Sequence, residues 1–210
     1  MSFPIAVLVS GEGSNLQAIL DTVHGREGIE VVCVGSSRAE ARGLERARAA
    51  GIEAEAFEIS ALPGRDERDV AMGDWLEEHG VELIVRAGFM ELLGSPFIRR
   101  FEGRIVNVHP SLLPAFPGVG AIEQALAHGV KLIGVTVHFV DEDVDSGPIV
   151  LQESIELPYA RTTEEVEGLV HEVEHRLLPR AIRLIASGAV GFDPDNPRLV
   201  RVEEEAGGDG

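Results

Sequence analysis

Cysteine is almost absent from this 210-residue sequence: Cys33 stands alone, so no internal disulfide can form. Lysine is as scarce, with Lys131 the only one among basic residues that are otherwise arginine. Lysine and arginine together number 18 against 36 acidic residues, a formal net charge of -18. So little positive surface argues against general nucleic-acid binding, which requires phosphates to be neutralised. It also means that an anionic ligand must be held by local donors against an unfavourable field. No apolar run is long enough to cross a bilayer. No basic stretch precedes the apolar start of the chain, so no signal peptide is expected. The expected location is the cytoplasm.

The rest of the composition is that of a globular chain, 44% hydrophobic and 26% charged. The length suits one well-cored domain, expected over residues 1–195, with residues 196–210 a polar, acidic, flexible tail. Strand patterns at 5–9, 31–34, 54–59, 83–85 and 105–108 alternate with helical patterns at 16–23, 39–50 and 65–79. That alternation predicts an α/β fold whose mostly parallel sheet is covered on both faces, with right-handed crossovers. After Pro110 the pattern changes. Residues 111–120 carry Pro114, Pro117, Gly118 and Gly120 and read as a loop. A short helix is expected at 121–128 and a half-buried strand around Val135, Val137 and Phe139. A further strand at 149–157 should stop at Pro158. Thr162 or Thr163 can cap a long helix running to Ala186, with Glu164 and Glu165 in its first turn.

Four segments carry candidate chemistry. Ser10-Gly11-Glu12-Gly13-Ser14-Asn15 follows the first strand and opens the first helix, where free N–H groups and the helix dipole suit a phosphate. The alternative is a tight turn needing glycine only for its backbone freedom. Leu16 occupies the place of the third glycine of a dinucleotide fingerprint, although Ser36-Ser37-Arg38 would suit the extra phosphate of NADP. Asn107-Val108-His109 closes a strand, so Asn107 and His109 project to one side at a carboxyl end where open α/β sheets bind ligands. An amide donor beside an imidazole can stabilise an oxyanion and move a proton; the alternative is a buried pair satisfied by loop backbone. Asp145-Ser146-Gly147-Pro148 ends an acidic loop with Asp141, Glu142 and Asp143. Such a loop is either simply solvated or brings Asp145 beside His109, where it would favour the imidazolium. Finally, His171-Glu172-Val173-Glu174-His175 matches the zinc-protease pattern H-E-x-x-H. No third histidine follows, and the nearest candidate ligands, Glu203 to Glu205, lie in the tail, so a charged helix face is the favoured reading.

Taken together, the Ser10–Gln17 run, Ala87-Gly88-Phe89-Met90, Asn107-Val108-His109-Pro110-Ser111-Leu112-Leu113-Pro114 and Asp145-Ser146-Gly147-Pro148 resemble the glycinamide ribonucleotide formyltransferase family, over residues 5–188. The resemblance implies a Rossmann-like three-layer fold with antiparallel strands near the C-terminus and no metal. It implies formyl transfer from 10-formyltetrahydrofolate, as cosubstrate, to glycinamide ribonucleotide in purine biosynthesis. It implies a catalytic trio of Asn107, His109 and Asp145, and a phosphate site at Gly13, Ser14 and Asn15. It implies contacts to the ribose and glycine end from His171, Glu172, Val173 and Glu174. Folate contacts are implied at Arg65, Met90, Glu91, Leu92, Leu93, Asn107, Asp141, Glu142, Asp143, Val144 and Asp145. Glu91 stands where some members carry arginine. The expected partners are these small molecules, with no membrane or nucleic acid, in a monomer or homodimer. The rival readings are a formyltetrahydrofolate hydrolase, whose extra N-terminal regulatory domain is not expected here, and a methionyl-tRNA formyltransferase, whose RNA-binding domain is not expected either. A zinc hydrolase using His171 and His175, an NADP-dependent reductase and a non-catalytic folate-binding protein complete the alternatives.

Overall fold

The computed structural model describes residues 2–157 and 162–203. In chain order the elements are β1 (Phe3–Val9), α1 (Ser14–Thr22), β2 (Ile29–Ser36), α2 (Arg42–Ala49), β3 (Glu53–Ala56), a 3-10 turn at Ile59–Ala61, α3 (Arg65–Glu78), β4 (Leu83–Arg86), α4 (Ser95–Arg100), β5 (Ile105–His109), α5 (Ala121–His128), β6 (Leu132–Phe139), β7 (Ile149–Glu156), α6 (Thr163–Ala186), β8 (Val190–Phe192) and β9 (Val200–Val202). Seven strands form one sheet in the order β3-β2-β1-β4-β5-β6-β7. β1 to β5 run parallel, β6 is antiparallel to β5, and β7 is antiparallel to β6. This is the mostly parallel α/β sheet that the strand–helix alternation predicts and the Rossmann-like architecture with antiparallel strands near the C-terminus that the resemblance implies.

Strand residues alternate between two apolar layers because successive side chains leave a strand on opposite faces. Ile5, Val7 and Val9 join the layer that packs under α1, α2, α5 and α6. Ala6 and Leu8 join Met72 and Leu76 of α3 and Phe97 and Ile98 of α4 in the other. α6 starts at a full capping box, Thr162 with Glu165. Its Val166, Val170, Val173, Leu177 and Ile182 are all buried. No helix among the described residues is long and apolar enough to cross a membrane.

Several elements depart from expectation. The third strand stops at Ala56 rather than at residue 59, because its neighbour β2 ends at Ser36, the partner of Ala56, and offers no ladder beyond. α4 is a helix of six residues with proline at its start, too short to show a helical period. β8 and β9 form a separate two-stranded hairpin, and β9 lies within the stretch that composition sets apart as a tail. Pro158, Glu204 and Glu205 lie outside the described residues.

The sheet order makes β1 the neighbour of both β2 and β4. The chain therefore builds outward to one edge, returns, and builds to the other. The crevice at the carboxyl ends of β1 and β4 is the switch point where such sheets bind ligands.

Candidate active site

The turn from β1 into α1 occupies that crevice. Gly13 sits at φ 70°, and a Cβ there would lie 2.7 Å from Cα of Gly43, so neither its conformation nor its neighbour admits a side chain. Arg42 bonds the Glu12 carboxylate at 2.9 Å and Arg46 Nε donates to the Glu12 carbonyl at 2.8 Å, which fastens the turn to α2. Ser10 Oγ bridges to Ser37 Oγ at 2.6 Å and accepts from the Met90 N–H at 2.9 Å. One hydroxyl thus ties together the ends of β1, β2 and β4. The open first turn of α1 leaves N–H groups without intrahelical acceptors. They face a cavity of about 500 Å³ whose lining includes Gly13, Ser14, Asn15, Arg38 and Met90.

α6 closes this cavity with Glu167, Val170, His171 and Glu174, a spacing of three and four residues that marks one helical face. Glu172 and Val173, expected beside them, do not line it: Val173 packs into the core and Glu172 is exposed. The helical period turns those two positions away. Glu174 is 6% exposed and accepts a 2.9 Å hydrogen bond from Asn15 Nδ2. Burial pushes its carboxyl pKa above the ordinary value, against the Asn15 bond that lowers it. The His171 and His175 rings stack in parallel at 6.0 Å, not as two converging ligands. Among the described residues no group of three or more His, Cys, Asp or Glu side chains is placed to hold a metal ion.

The trio assembles beside this cavity. Val108 and Pro110, the neighbours of His109, line it. His109 Nδ1 lies 3.3 Å from Asp145 Oδ2, and its Nε2 lies 2.9 Å from the Phe116 carbonyl. Both ring nitrogens therefore face acceptors, an arrangement that the imidazolium, with two N–H donors, satisfies. Asn107 Nδ2 is 3.5 Å from Asp145 Oδ1. Asp145 also accepts from the Gly118 N–H at 2.8 Å, so the loop after β5 closes over the three side chains. Thr136 fixes that loop at its root, donating to Ser111 and accepting from the Leu113 N–H. Asp145 itself has φ 50°, a left-handed conformation that a non-glycine residue holds only when its surroundings impose it.

A fourth side chain belongs to the group. His138 on β6 stands opposite Asn107 in the antiparallel register. Its Nε2 is 3.2 Å from Asn107 Nδ2 and 3.7 Å from Asp145 Oδ1. Burial pushes its pKa below the ordinary histidine value, while the Phe139 carbonyl and then Asp145 pull the other way. The sequence pattern puts His138 on one face of a strand, but nothing in it says which strand lies opposite.

A second, smaller cavity of about 70 Å³ lies at Asp145, lined by Arg86, Leu92, Leu93, Ile98, His138, Val140 and the loop Asp141, Glu142, Asp143, Val144 and Asp145. Buried Arg68 shapes it by donating to Asp69 at 2.6 Å and to the Leu92 carbonyl at 2.8 Å, while Asp69 accepts from the Gly94 N–H. Of the segment expected there, Leu92 and Leu93 line this cavity and Met90 lines the larger one. Glu91 lines neither, nor does Arg65, which is exposed where α3 begins.

A carboxylate that lines one cavity, with an amide and an imidazole set among residues that line the other, suits the passage of a group from one bound molecule to another. The formyl transferase family model matches residues 4–182. The chain belongs to the formyl transferase family. Phosphoribosylglycinamide formyltransferase of Haemophilus influenzae is 42% identical over 185 residues, covering 88% of this chain and 87% of that protein. The trifunctional purine biosynthetic protein adenosine-3 of Bos taurus is 42% identical over 202 residues, covering 96% of this chain. The chain spans only 20% of that longer relative's length. Among solved structures, glycinamide ribonucleotide transformylase 1 from Symbiobacterium toebii superposes with a TM-score of 0.91 at 46% identity, covering 97% of this chain and 95% of that one. In this formyl transferase the single cysteine, Cys33, is remote in role: burial pushes its thiol pKa up to about 12, so it is no nucleophile near neutral pH.

Proposed function

We propose that this formyl transferase moves the formyl group of 10-formyltetrahydrofolate onto the amine of glycinamide ribonucleotide, in the cytoplasm, as a monomer or homodimer. The observation that carries the reading is the polar trio beside the cavity of the glycine-rich turn, with its Asp145 lining a second cavity of mixed apolar and acidic walls. The larger cavity takes the ribonucleotide. Its phosphate lies on the N–H groups at Gly13, Ser14 and Asn15, and Glu174 accepts from hydroxyl or amine donors further along. The smaller cavity and the Asp141–Asp145 loop take the folate.

The substrate amine attacks the formyl carbon, forming a C–N bond and a tetrahedral oxyanion. The Asn107 amide and the His109 Nε2–H, turned from the Phe116 carbonyl, donate to that oxygen. Asp145 orients the ring and balances its charge. The intermediate collapses as the bond from the formyl carbon to N10 of the folate breaks, and the proton lost by the amine passes to N10 through Asp145 and water. No step calls for a metal.

The test is deformylation of 10-formyltetrahydrofolate with and without glycinamide ribonucleotide. Formyl loss only when the amine is present is the expected result. Equal loss without it would mean that water is the acceptor and the chain is a hydrolase, a rival that would use the same three side chains.

A further inference from the structure

We propose that Arg86 binds the pterin ring of the folate, its guanidinium donating to the ring's 4-oxo edge; this rests on the folate reading above. Arg86 ends β4 in register with Asn107 on β5. Among the described residues it is the only arginine or lysine on the wall of the small cavity, beside His138, Leu92, Leu93, Ile98, Val140 and the acidic loop. Apolar walls and one directed cationic donor suit a flat, uncharged heterocycle with a carbonyl acceptor. The carboxylates of a folate sit at its far end, away from this ring.

The guanidinium is already braced. Nη2 donates to the carbonyls of Phe89 and Glu91 at 2.9 and 3.2 Å, and the group lies 5.9 Å from the Phe89 ring centroid. Its buried Nε has no hydrogen-bond partner among the described residues. A buried donor left unpaired is costly, and its presence calls for a reason. The brace explains how a charge is kept at this wall, and the spare donor gives it something to offer. A bicyclic ring exceeds about 70 Å³, so binding has to move the wall. The Asp141–Asp145 loop can do so, because Glu142, Asp143 and Val144 are exposed on its outer side.

The pairing has a donor–acceptor sign that a purely structural arginine would lack. A 4-oxo pterin accepts from Arg86, whereas a 4-amino pterin presents a donor to a donor. The experiment measures dissociation constants of folic acid and of its 4-amino-4-deoxy analogue for the wild type, Arg86→Met and Arg86→Lys, with both KM values. Wild type is expected to favour the 4-oxo compound by at least about tenfold. Arg86→Met should bring that ratio toward one and raise the KM for 10-formyltetrahydrofolate by about tenfold or more, leaving the KM for glycinamide ribonucleotide unchanged. Arg86→Lys, which keeps the charge and a donor, should retain part of the preference. Equal affinities in the wild type, binding of neither compound, or an unchanged ratio in either folded variant overturns the proposal. Wild type that prefers the 4-oxo compound yet transfers no formyl group would sink the functional reading and leave Arg86 in place.

Discussion

Glu174 accepts from Asn15 inside a cavity wall that is nearly closed to water. Its raised pKa means that the folded protein binds this proton more tightly than the unfolded chain does. The group's stabilising contribution is thus complete below the ordinary carboxyl pKa and is lost as pH rises through the folded value. Above the folded value the buried carboxylate is ionised at a cost in stability. Glu174→Gln keeps the shape and the possibility of an Asn15 contact while removing that charge. It should melt at or above the wild-type temperature at pH 8, with a smaller advantage at pH 5, yet show at least a tenfold higher KM for glycinamide ribonucleotide. A variant that loses stability at pH 8 without losing affinity would make the residue purely structural. The trio predicts the opposite pattern. His109→Ala and Asp145→Asn should each lose at least about 100-fold in turnover while far-UV circular dichroism and melting stay cooperative, and near-normal turnover in both would refute their roles. Asn107, His109 and Asp145 are singled out together by the resemblance of their motifs to a known family; the residues alone leave open a pair satisfied by loop backbone and a solvated acidic loop. His138 and Arg86 stand in no such motif: their places beside Asn107 come from cross-strand register, which links positions far apart in the chain. Glu172 and Val173, which the resemblance implies as contacts, lie off the cavity lining because a helix presents residues by turn and not by adjacency.

Gly147 shows how one element aims another's side chain. A Cβ at this position would lie 1.9 Å from the Phe139 carbonyl oxygen and 2.9 Å from its carbon. Both atoms belong to the end of β6 and cannot give way. The close approach lets the acidic loop lie flat on the strand, and Asp145, two residues earlier, is thereby pressed toward His109. Gly147→Ala should lift the loop and lower turnover by about 100-fold, the scale expected of a displacement of about 1 Å in a reacting group. Substrate titration should show kcat falling more than the KM for glycinamide ribonucleotide rises. Unchanged kcat would mean that Asp145 is held by its contacts to Gly118, His109 and Asn107 without help from the close approach at Gly147. The Ser-Gly-Pro sequence signals a turn here, and the long, periodic α3 and α6 and the shorter α5 are likewise legible with close boundaries. The six residues of α4 and the three-residue strands β8 and β9 are not, because they span too little chain to display a period. Their existence depends on what they pack against: Phe192 of β8 meets Phe139 of β6 at 4.8 Å between ring centroids.

Seen whole, the molecule carries 18 more acidic than basic residues yet is proposed to capture two anions. The larger cavity offers one arginine, Arg38, against Glu12, Glu123, Glu167 and Glu174 on its lining. The long-range field therefore repels the ribonucleotide, and only donors within contact distance attract it. These two influences respond differently to salt. The screening length is about 30 Å at 0.01 M and about 8 Å at 0.15 M, so added salt removes the distant repulsion while leaving hydrogen bonds from the Gly13–Asn15 turn largely intact. The expected outcome is a kcat/KM for glycinamide ribonucleotide that rises between those ionic strengths, with kcat at saturation constant, the reverse of an enzyme that steers its substrate electrostatically. A fall over the same range would show that the cationic edge of the cavity outweighs the net charge, and replacing Arg38 with methionine should then turn the fall into a rise.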